Sequence, residues 1–495
     1  MSWKKQLREA YKKELPEHGP QRLLEKAGLE PSKKAKTYHD FRRPLKVGIA
    51  VAATVLFVAP IAAFLASGFT TKNSFSAKNI RFDAATRVSL QKQQAVALNQ
   101  IEYTDHDYEE VPISAEFSAS VNAFASSFHQ SFATQDSFLY SPLGLYLNLD
   151  LLSLGASGPV ATDFQIYLGT KALRDANVVK AIEGNFFTGN SGAAHIYQGA
   201  FLEKNQPLQA GYVDALTSRR CEAFSLDLAK GGSAIGDWSE QHIGIRLSAE
   251  DLDHQDLTIA YWLTLLDFKG RWDVAYDSAK TSKRPFYGSE TKQLDFMTHA
   301  VWIGTYGQQT KTNPYRGIYD YGDYVSAYDS YRHGYSIQYL VPKKVEDDIF
   351  ALTQGKNIFE EDQTKALPTK EGEEGAITNL VYYLPKFEES TKLDLTDSVK
   401  KMGLSSPYSN FQHSLDRAFV LDDDGGVVKY TKQVNHIRFD EDGTTARSIT
   451  WSMGMAGAAA PIGGSATYVV DLNQPFLYVI RDPHGLPLFC GAYRG

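Results

Sequence analysis

The chain of 495 residues is 43% hydrophobic and 12% aromatic, and it carries a formal net charge of −7 at pH 7. This length exceeds one ordinary core, so we expect one large domain with additional segments, or two domains. Residues 1–46 hold thirteen Lys and Arg against six Asp and Glu, about +7, which leaves about −14 for the remainder. Because phosphate binding needs a basic face, the acidic remainder excludes nucleic acid as the main partner.

An uncharged apolar run occupies residues 47–69 and reads VGIAVAATVLFVAPIAAFLASGF. A helix of about 23 residues crosses the hydrocarbon core of a bilayer, and a membrane helix tolerates a proline such as Pro60. Lysines and arginines crowd the segment before the run, whereas only Lys72 follows it closely. Since positive charge accumulates on the cytoplasmic side, the run is predicted to be a single-pass transmembrane helix. Residues 1–46 would then be a cytoplasmic basic tail, and the rest of the chain would lie outside the cell.

A cleaved signal peptide is the alternative, because Ala66, Ser67 and Gly68 resemble a cleavage site. Cleavage there would secrete the outer domain. The length of the apolar run and the 46 residues before it favour an uncleaved anchor. Residues 70–112 are polar and rich in Gln, Asn and Asp, which predicts an extracellular stalk.

From residue 113 onward, helical patterns alternate with β-rich runs. Five apolar residues recur at helical spacing and predict a helix with one buried face: Phe117, Val121, Phe124, Phe128 and Phe132. Residues 145–154 are apolar on nearly every side, which predicts a buried helix that starts after Ser141 and Pro142. Residues 155–158 (GASG) end that helix.

The apolar run at 257–268, LTIAYWLTLLDF, predicts a strand in the middle of a sheet with both faces covered. Three further β-rich runs lie near the C-terminus, at 467–472, 476–481 and 486–490, and prolines separate them. Residues 113–495 are therefore predicted to form one large α+β domain.

The chain has only two cysteines, Cys221 and Cys490. One disulfide is possible in an extracellular domain, but two cysteines are too few for a disulfide framework. The favoured interpretation is two buried thiols that behave as small apolar residues. Neither cysteine belongs to a CxxC or Cys/His ligand pattern, so no metal and no cofactor are predicted.

Five sequence features, in order along the chain, resemble motifs of the serpin family. They are FLYSP at 138–142 with LSLGA at 152–156, FKGRW at 268–272, LPKF at 384–387, KMGL at 401–404, and QPFL at 474–477 with LFCG at 488–491. The resemblance implies a serpin fold over residues 113–495, with three β-sheets and about nine helices. It also implies an exposed reactive loop at about 441–464, which begins with a hinge that reads EDGTTA: Glu441, Asp442, Gly443, Thr444, Thr445 and Ala446.

The family's inhibitory mechanism requires the cut loop to enter the main sheet as a new strand. A strand sends alternate side chains to opposite faces, so one set must fit a tightly packed interior. Counted in twos from the hinge, the predicted inward set is small throughout: Thr444, Ala446, Ser448, Thr450, Ser452, Gly454 and Ala456. The outward set is mostly bulky: Thr445, Arg447, Ile449, Trp451, Met453 and Met455. This alternation predicts a loop that is able to insert.

The resemblance also assigns residues that gate the opening of the main sheet: Ser141, Thr264, Trp272 and Gln433. Thr264 and Gln433 stand where the family usually has an asparagine and a histidine beneath the sheet, and both retain hydrogen-bonding capacity. Trp272 is the bulky residue at which insertion begins. Inhibitory members usually carry alanines after the hinge, whereas Arg447 and Ile449 interrupt such a run here, which is expected to slow insertion.

The function implied is irreversible, suicide-substrate inhibition of a serine protease outside the cell. The target's catalytic serine attacks the reactive bond, and insertion of the loop traps the covalent acyl complex before hydrolysis. No GxSxG, HExxH or glycine-rich phosphate motif occurs in the sequence, so the protein is not expected to catalyse a reaction of its own. We also expect a monomer. The alternative is a non-inhibitory serpin that acts as a surface binding or structural module, an interpretation that Arg447, Ile449 and Trp451 leave open.

Family spacing places the scissile residue sixteen positions after Glu441, so the predicted reactive bond is Gly457–Ala458. A slip of the count by one or two would make Ala456 or Met455 the scissile residue. Residues 453–460 read MGMAGAAA and offer no Arg, Lys or aromatic side chain, which favours an elastase-like or subtilisin-like target with a small pocket. An anchored serpin with few cysteines suggests a bacterial cell surface.

Overall fold

The computed structural model describes residues 95–101, 112–132, 136–184, 193–303, 317–368, 377–446 and 466–495. The predicted cytoplasmic tail, the apolar run at 47–69 and most of the predicted stalk lie outside these residues, as do residues 447–465 of the reactive loop. Among the helices in the described ranges, none has both the length and the apolar character needed to span a bilayer.

Nine α-helices occur in the described part of the chain. They are α1 (Ala115–Ser131), α2 (Pro142–Leu154), α3 (Gly158–Leu168), α4 (Lys171–Gly184), α5 (Tyr212–Thr217), α6 (Gly232–Ile243), α7 (Ala249–Leu252), α8 (Ile349–Thr353) and α9 (Thr396–Met402).

Seventeen strands occur in the same ranges. They are β1 (Val96–Ala97), β2 (Phe138–Tyr140), β3 (Ala194–Glu203), β4 (Cys221–Leu226), β5 (Ala260–Arg271), β6 (Ser282–Tyr287), β7 (Thr291–Trp302), β8 (Ile318–Asp320), β9 (Tyr324–Ser330), β10 (Ser336–Pro342), β11 (Ile377–Pro385), β12 (Phe387–Asp394), β13 (Lys432–Phe439), β14 (Gly443–Ala446), β15 (Ala466–Asp471), β16 (Phe476–Arg481) and β17 (Pro487–Tyr493).

These strands form three sheets, the number that the resemblance implied. The main sheet has seven strands in the order β1-β4-β3-β5-β14-β13-β12. A six-stranded sheet has the order β2-β17-β16-β10-β9-β8, and a four-stranded sheet has the order β15-β11-β7-β6. The class is therefore α+β, as predicted.

Both helices predicted from apolar spacing are present. In α1, Phe117, Val121, Phe124 and Phe128 are all buried, and the Ser114 hydroxyl accepts a hydrogen bond from the Phe117 N–H at the helix start. Helix α2 starts with proline at its first position and is buried on nearly all sides. Because α2 packs against both β5 and β17, it lies in the core between the main sheet and the six-stranded sheet.

The predicted central strand is β5, which begins at Ala260 rather than at Leu257. Leu257 is exposed and precedes the strand. Along β5 one face packs into the main core through Trp262 and Leu266, and the other packs through Tyr261 and Leu265 against the cluster that contains α6. Both faces are therefore covered, as the continuous apolar run predicted.

Part of the predicted stalk belongs to the folded sheet. Strand β1 pairs antiparallel with β4, so that Val96 lies opposite Ser225. Asn99 fixes the end of this segment, since its side chain donates to Thr217 Oγ1 and to the Cys221 carbonyl and accepts from the Ala223 N–H. Residues 95–101 of the predicted stalk therefore contact the edge of the main sheet, and backbone pairing of this kind leaves little hydrophobic signal in the sequence.

The two cysteines are free thiols buried in the core, which confirms the favoured interpretation. Burial raises the pKa of the Cys490 thiol to about 12 and that of Cys221 well above its usual value. Both thiols are therefore protonated and unreactive at neutral pH.

Candidate functional site: the hinge and the main sheet

The hinge already occupies a place in the main sheet. Residues 443–446 form β14, which pairs antiparallel with β13 on one side and with β5 on the other. Among the described residues, β5 and β13 each pair with β14, and no ladder joins them directly. The first part of the loop thus lies in the position that a fully inserted loop would extend.

Thr444 is the first member of the small, inward set, and its side chain is 1% exposed. Its hydroxyl lies 2.5 Å from the hydroxyl of Tyr331, which satisfies both buried polar groups. Tyr331 belongs to the main hydrophobic core, so Thr444 faces the core side of the sheet. The next residue of the inward set, Ala446, lies in β14 opposite Phe268.

Gly443 is required by the closeness of the neighbouring strand. A Cβ at this position would lie 2.1 Å from the carbonyl oxygen of Gly270 and 3.0 Å from Cα of Arg271. Both are backbone atoms, which cannot rotate away as a side chain can. Only glycine therefore allows the hinge to pair with β5 at this register.

Glu441 anchors the start of the hinge outside the strand. Its carboxylate receives a hydrogen bond of 2.8 Å from the Thr281 hydroxyl and forms an ion pair of 2.7 Å with Lys386. Burial raises the pKa of Glu441, but the bonds from Lys386 and Thr281 outweigh this effect, and the net pKa lies below the usual value. The carboxylate therefore stays ionised and attached at neutral pH. Its neighbour Asp442 is exposed, and the backbone carbonyl of Asp442 accepts a hydrogen bond of 3.3 Å from the backbone N–H of Trp272.

Trp272 directly follows β5 and contacts the residues that precede the hinge. Its ring is buried and stacks on Tyr331 with ring centroids 4.5 Å apart and planes 15° apart. Its indole N–H donates to the carbonyl of Asp440 at 2.9 Å. Trp272 thus holds both the turn before the hinge and the tyrosine that receives Thr444.

Of the other predicted gating residues, Gln433 and Ser141 bond to each other, whereas Thr264 bonds to a residue outside the predicted set. Gln433 exchanges hydrogen bonds with the backbone of Ser141, accepting from its N–H at 2.9 Å and donating to its carbonyl at 3.0 Å. Thr264 instead donates to the side chain of Gln198 at 3.4 Å. The structure therefore does not join Thr264 to Gln433. Each has a different partner, and both lie beyond the residues that pair with β14, which are 268–271 of β5 and 438–439 of β13.

Ser141 also caps α2. Its hydroxyl accepts from the Gly144 N–H at 2.9 Å and donates to the Leu488 carbonyl at 2.7 Å. Together with Gln433, it connects a strand of the main sheet to α2 and to β17.

The far end of the loop is held by the four-stranded sheet. Strand β15 pairs parallel with β11, and Asp471 at its end forms an ion pair of 2.7 Å with Arg284. Residues 447–465, which include the predicted reactive bond Gly457–Ala458 and the inward residues Ser448, Thr450 and Ser452, lie outside the described residues.

Sequence reasoning missed Tyr331, although it is the direct partner of Thr444. The only signal in the sequence is a tyrosine at the end of a β-rich run, which is common in any core strand. It also missed Lys386 as the partner of Glu441, although Lys386 belongs to the LPKF motif. The two residues are far apart in the chain, so neither periodicity nor spacing relates them.

The main sheet thus holds the start of the loop as a strand, and the four-stranded sheet holds its far end. A family model described as "Serpin (serine protease inhibitor)" matches residues 119–494. That match covers most of the chain, and the chain belongs to the serpin family. Members of this family are generally protease inhibitors rather than enzymes.

Curated relatives and solved structures agree with this assignment. Serpin-ZXA of Oryza sativa subsp. japonica is 24% identical over 399 residues, which cover 74% of this chain and 92% of that protein. Iripin-5 of Ixodes ricinus is 24% identical over 302 residues, 58% of this chain and 69% of that protein. The native state of the thermophilic serpin tengpin superposes with a TM-score of 0.64 at 16% identity and covers 81% of this chain and 99% of its own. The structural likeness shows the fold.

Proposed function

We propose that this serpin is an irreversible suicide-substrate inhibitor of a serine protease. The observation that carries the proposal is Thr444, a small residue seated on the core side of the main sheet between β5 and β13. The small residues that follow in the same phase, from Ala446 to Ala456, suit the same environment. The hinge therefore marks the path along which the rest of the loop would insert.

The proposed reaction uses the target's own chemistry. The catalytic serine of the protease attacks the carbonyl of the reactive bond and forms an ester, and the amine of the next residue leaves as a new N-terminus. Residues from Ala446 onward then extend β14 between β5 and β13. An added strand of about ten ladder hydrogen bonds, at about 1 kcal/mol net each, supplies ample driving force for displacing the tethered protease.

The target class follows from the loop residues. The segment 453–460 presents only Met, Gly and Ala, so a small and shallow specificity pocket is the one that fits. An elastase-like or subtilisin-like enzyme is therefore the proposed target, with Gly457–Ala458 as the proposed bond.

The location of the inhibitor is part of the same proposal. The apolar run 47–69 and its basic flank would anchor the chain in a cell membrane and place the serpin domain outside. Extracellular proteases would then be the enzymes that meet the loop. The bacterial source stays a prediction.

Incubation of the full-length chain with elastase, subtilisin and trypsin tests the proposal. Elastase or subtilisin should form an SDS-stable complex and release a C-terminal peptide whose N-terminus is Ala458. An N-terminus at Gly457 or Ala456 would shift the bond, and rapid trapping of trypsin but not elastase would reject the target class. Cleavage by every enzyme without a covalent complex would favour the non-inhibitory alternative.

A further inference from the structure

A buried histidine and aspartate lie behind the hinge, where the three sheets meet. His299 of β7 and Asp329 of β9 are both buried. Nε2 of His299 lies 2.9 Å from Oδ2 of Asp329, and Nδ1 of His299 lies 2.8 Å from the carbonyl oxygen of Val274. Neither residue belongs to a serpin motif that the sequence displays.

Both ring nitrogens of His299 therefore face hydrogen-bond acceptors. A backbone carbonyl only accepts, and so does an ionised carboxylate. A neutral imidazole has a single N–H and can satisfy only one of the two contacts. The geometry thus requires one proton more than a neutral histidine beside an ionised aspartate. That proton resides either on the imidazole or on the carboxyl group.

Tyr276 connects this pair to the hinge. Its ring stacks on His299 with centroids 3.8 Å apart, and its hydroxyl donates to Oδ2 of Asp329 at 3.1 Å. Its backbone N–H donates to the carbonyl of Glu441 at 3.2 Å, and its ring packs edge-on against Trp272. A displacement of Tyr276 therefore moves two of the groups that hold the start of the hinge.

The other titratable groups around the pair keep their charge state near neutral pH. Tyr331, Tyr339 and Tyr382 face Asp329 from the end of β9, from β10 and from β11. Burial raises the pKa of each of them, and of Tyr276, well above the usual value. At the hinge, Glu441 stays ionised beside Lys386.

We propose that His299 and Asp329 are positioning residues for the hinge, which share one proton and release the hinge from the main sheet when that proton is lost. Without it, the one remaining N–H of His299 serves a single acceptor, so a ring lone pair faces either the Asp329 carboxylate or the Val274 carbonyl in a region of low dielectric, and the two repel each other. Relief of that contact shifts Tyr276 and loosens Glu441. The proposal deepens the inhibitory function, yet hinge release can be measured without any target protease.

Trypsin provides the measurement, because it cuts after Arg447 and must bind the preceding residues, which belong to β14, so the cut is expected to require release of the hinge from the sheet. The full-length chain is digested briefly from about pH 6 to about pH 9, a range that spans histidine titration. The fragment that begins at Ser448 is quantified by mass spectrometry, and its rate is divided by that of a free peptide covering 441–452. The normalised rate should rise with pH, by at most about tenfold per pH unit, as one proton is lost.

Two variants and a control decide the outcome. In Asp329→Asn the amide donates to Nε2 of a neutral histidine, so the normalised rate should stay low at every pH. His299→Gln removes the titrating ring, so its rate should be independent of pH. His333→Asn replaces an exposed histidine whose backbone has a φ of 63°, which asparagine tolerates, and should keep the wild-type profile.

A flat wild-type profile, or a pH rise that persists in Asp329→Asn, would overturn the proposal. These results are independent of inhibition. A wild-type chain that traps no protease but shows the expected profile would reject the inhibitory function and retain the pair. A chain that traps protease but shows a flat pH profile would support the inhibitory function and reject the role of the pair.

Discussion

Substitution of Thr444 by arginine tests strand insertion at the residue where the structure places its start. Thr444 is 1% exposed, and its hydroxyl bonds to that of Tyr331, a residue of the main hydrophobic core. An arginine there would bury an unpartnered charge, at a cost of several kcal/mol. The arginine would therefore expel the hinge from the sheet of the uncut chain. If about 3 kcal/mol of this cost returns when the hinge must re-enter with the inserting strand, insertion slows by about 150-fold. Hydrolysis of the acyl-enzyme then precedes trapping.

The assay compares Thr444→Arg with Thr445→Arg, which places the same side chain in the opposite phase of the strand. Each variant is incubated with elastase or subtilisin, and covalent complex and cut inhibitor are quantified on denaturing gels. We expect Thr444→Arg to be cut without forming complex and Thr445→Arg to retain trapping. Equal complex formation by the two variants would refute the assignment of Thr444 to the inward face and Thr445 to the outward face of the strand. It would also refute the insertion mechanism that depends on this assignment.

Three further results are expected. Gly443→Ala should expose the hinge to trypsin several-fold faster, because its Cβ would lie 2.1 Å from the carbonyl of Gly270; unchanged trypsin resistance would contradict the register. Glu441 has a lowered pKa, so the stability from its pair with Lys386 should be complete above about pH 4.3, the usual unfolded value, and lost as pH falls further. Acid titration of hinge protection should therefore show a transition that Glu441→Gln lacks. Asn99→Ala should lower the free energy of unfolding in urea by about 1–3 kcal/mol, since it removes three hydrogen bonds, and a loss below 0.5 kcal/mol would show that β1 contributes little.

Much of the fold could be predicted because its signals are local. The buried face of α1 follows from apolar residues three and four apart, and the burial of α2 follows from a run with no polar side. Which hinge residues share a face of the strand is also a local property, because side chains alternate along any strand and Thr444 and Ala446 are two residues apart. The serpin motifs then supplied the order of the elements.

The strand β1 could not be predicted in the same way. A short segment at a sheet edge is held by backbone hydrogen bonds and by one side chain, Asn99, so its composition resembles that of a polar linker. The gating residues show the same limit. Family correspondence suggested that Thr264 and Gln433 act as a pair, whereas in the structure Thr264 bonds to Gln198 and Gln433 bonds to the backbone of Ser141.

By itself, the sequence determined the fold family, the inward phase of the hinge, the small residues around the proposed bond and the buried state of both thiols. These properties depend on periodicity, spacing and residue size, which are written along the chain. Only the tertiary structure decided that Thr444 meets Tyr331, that Glu441 meets Lys386 and that His299 meets Asp329 behind Tyr276. The physical reason is that each of these contacts joins residues distant in sequence. Their partners are fixed by how the three sheets pack, and no local pattern records that packing.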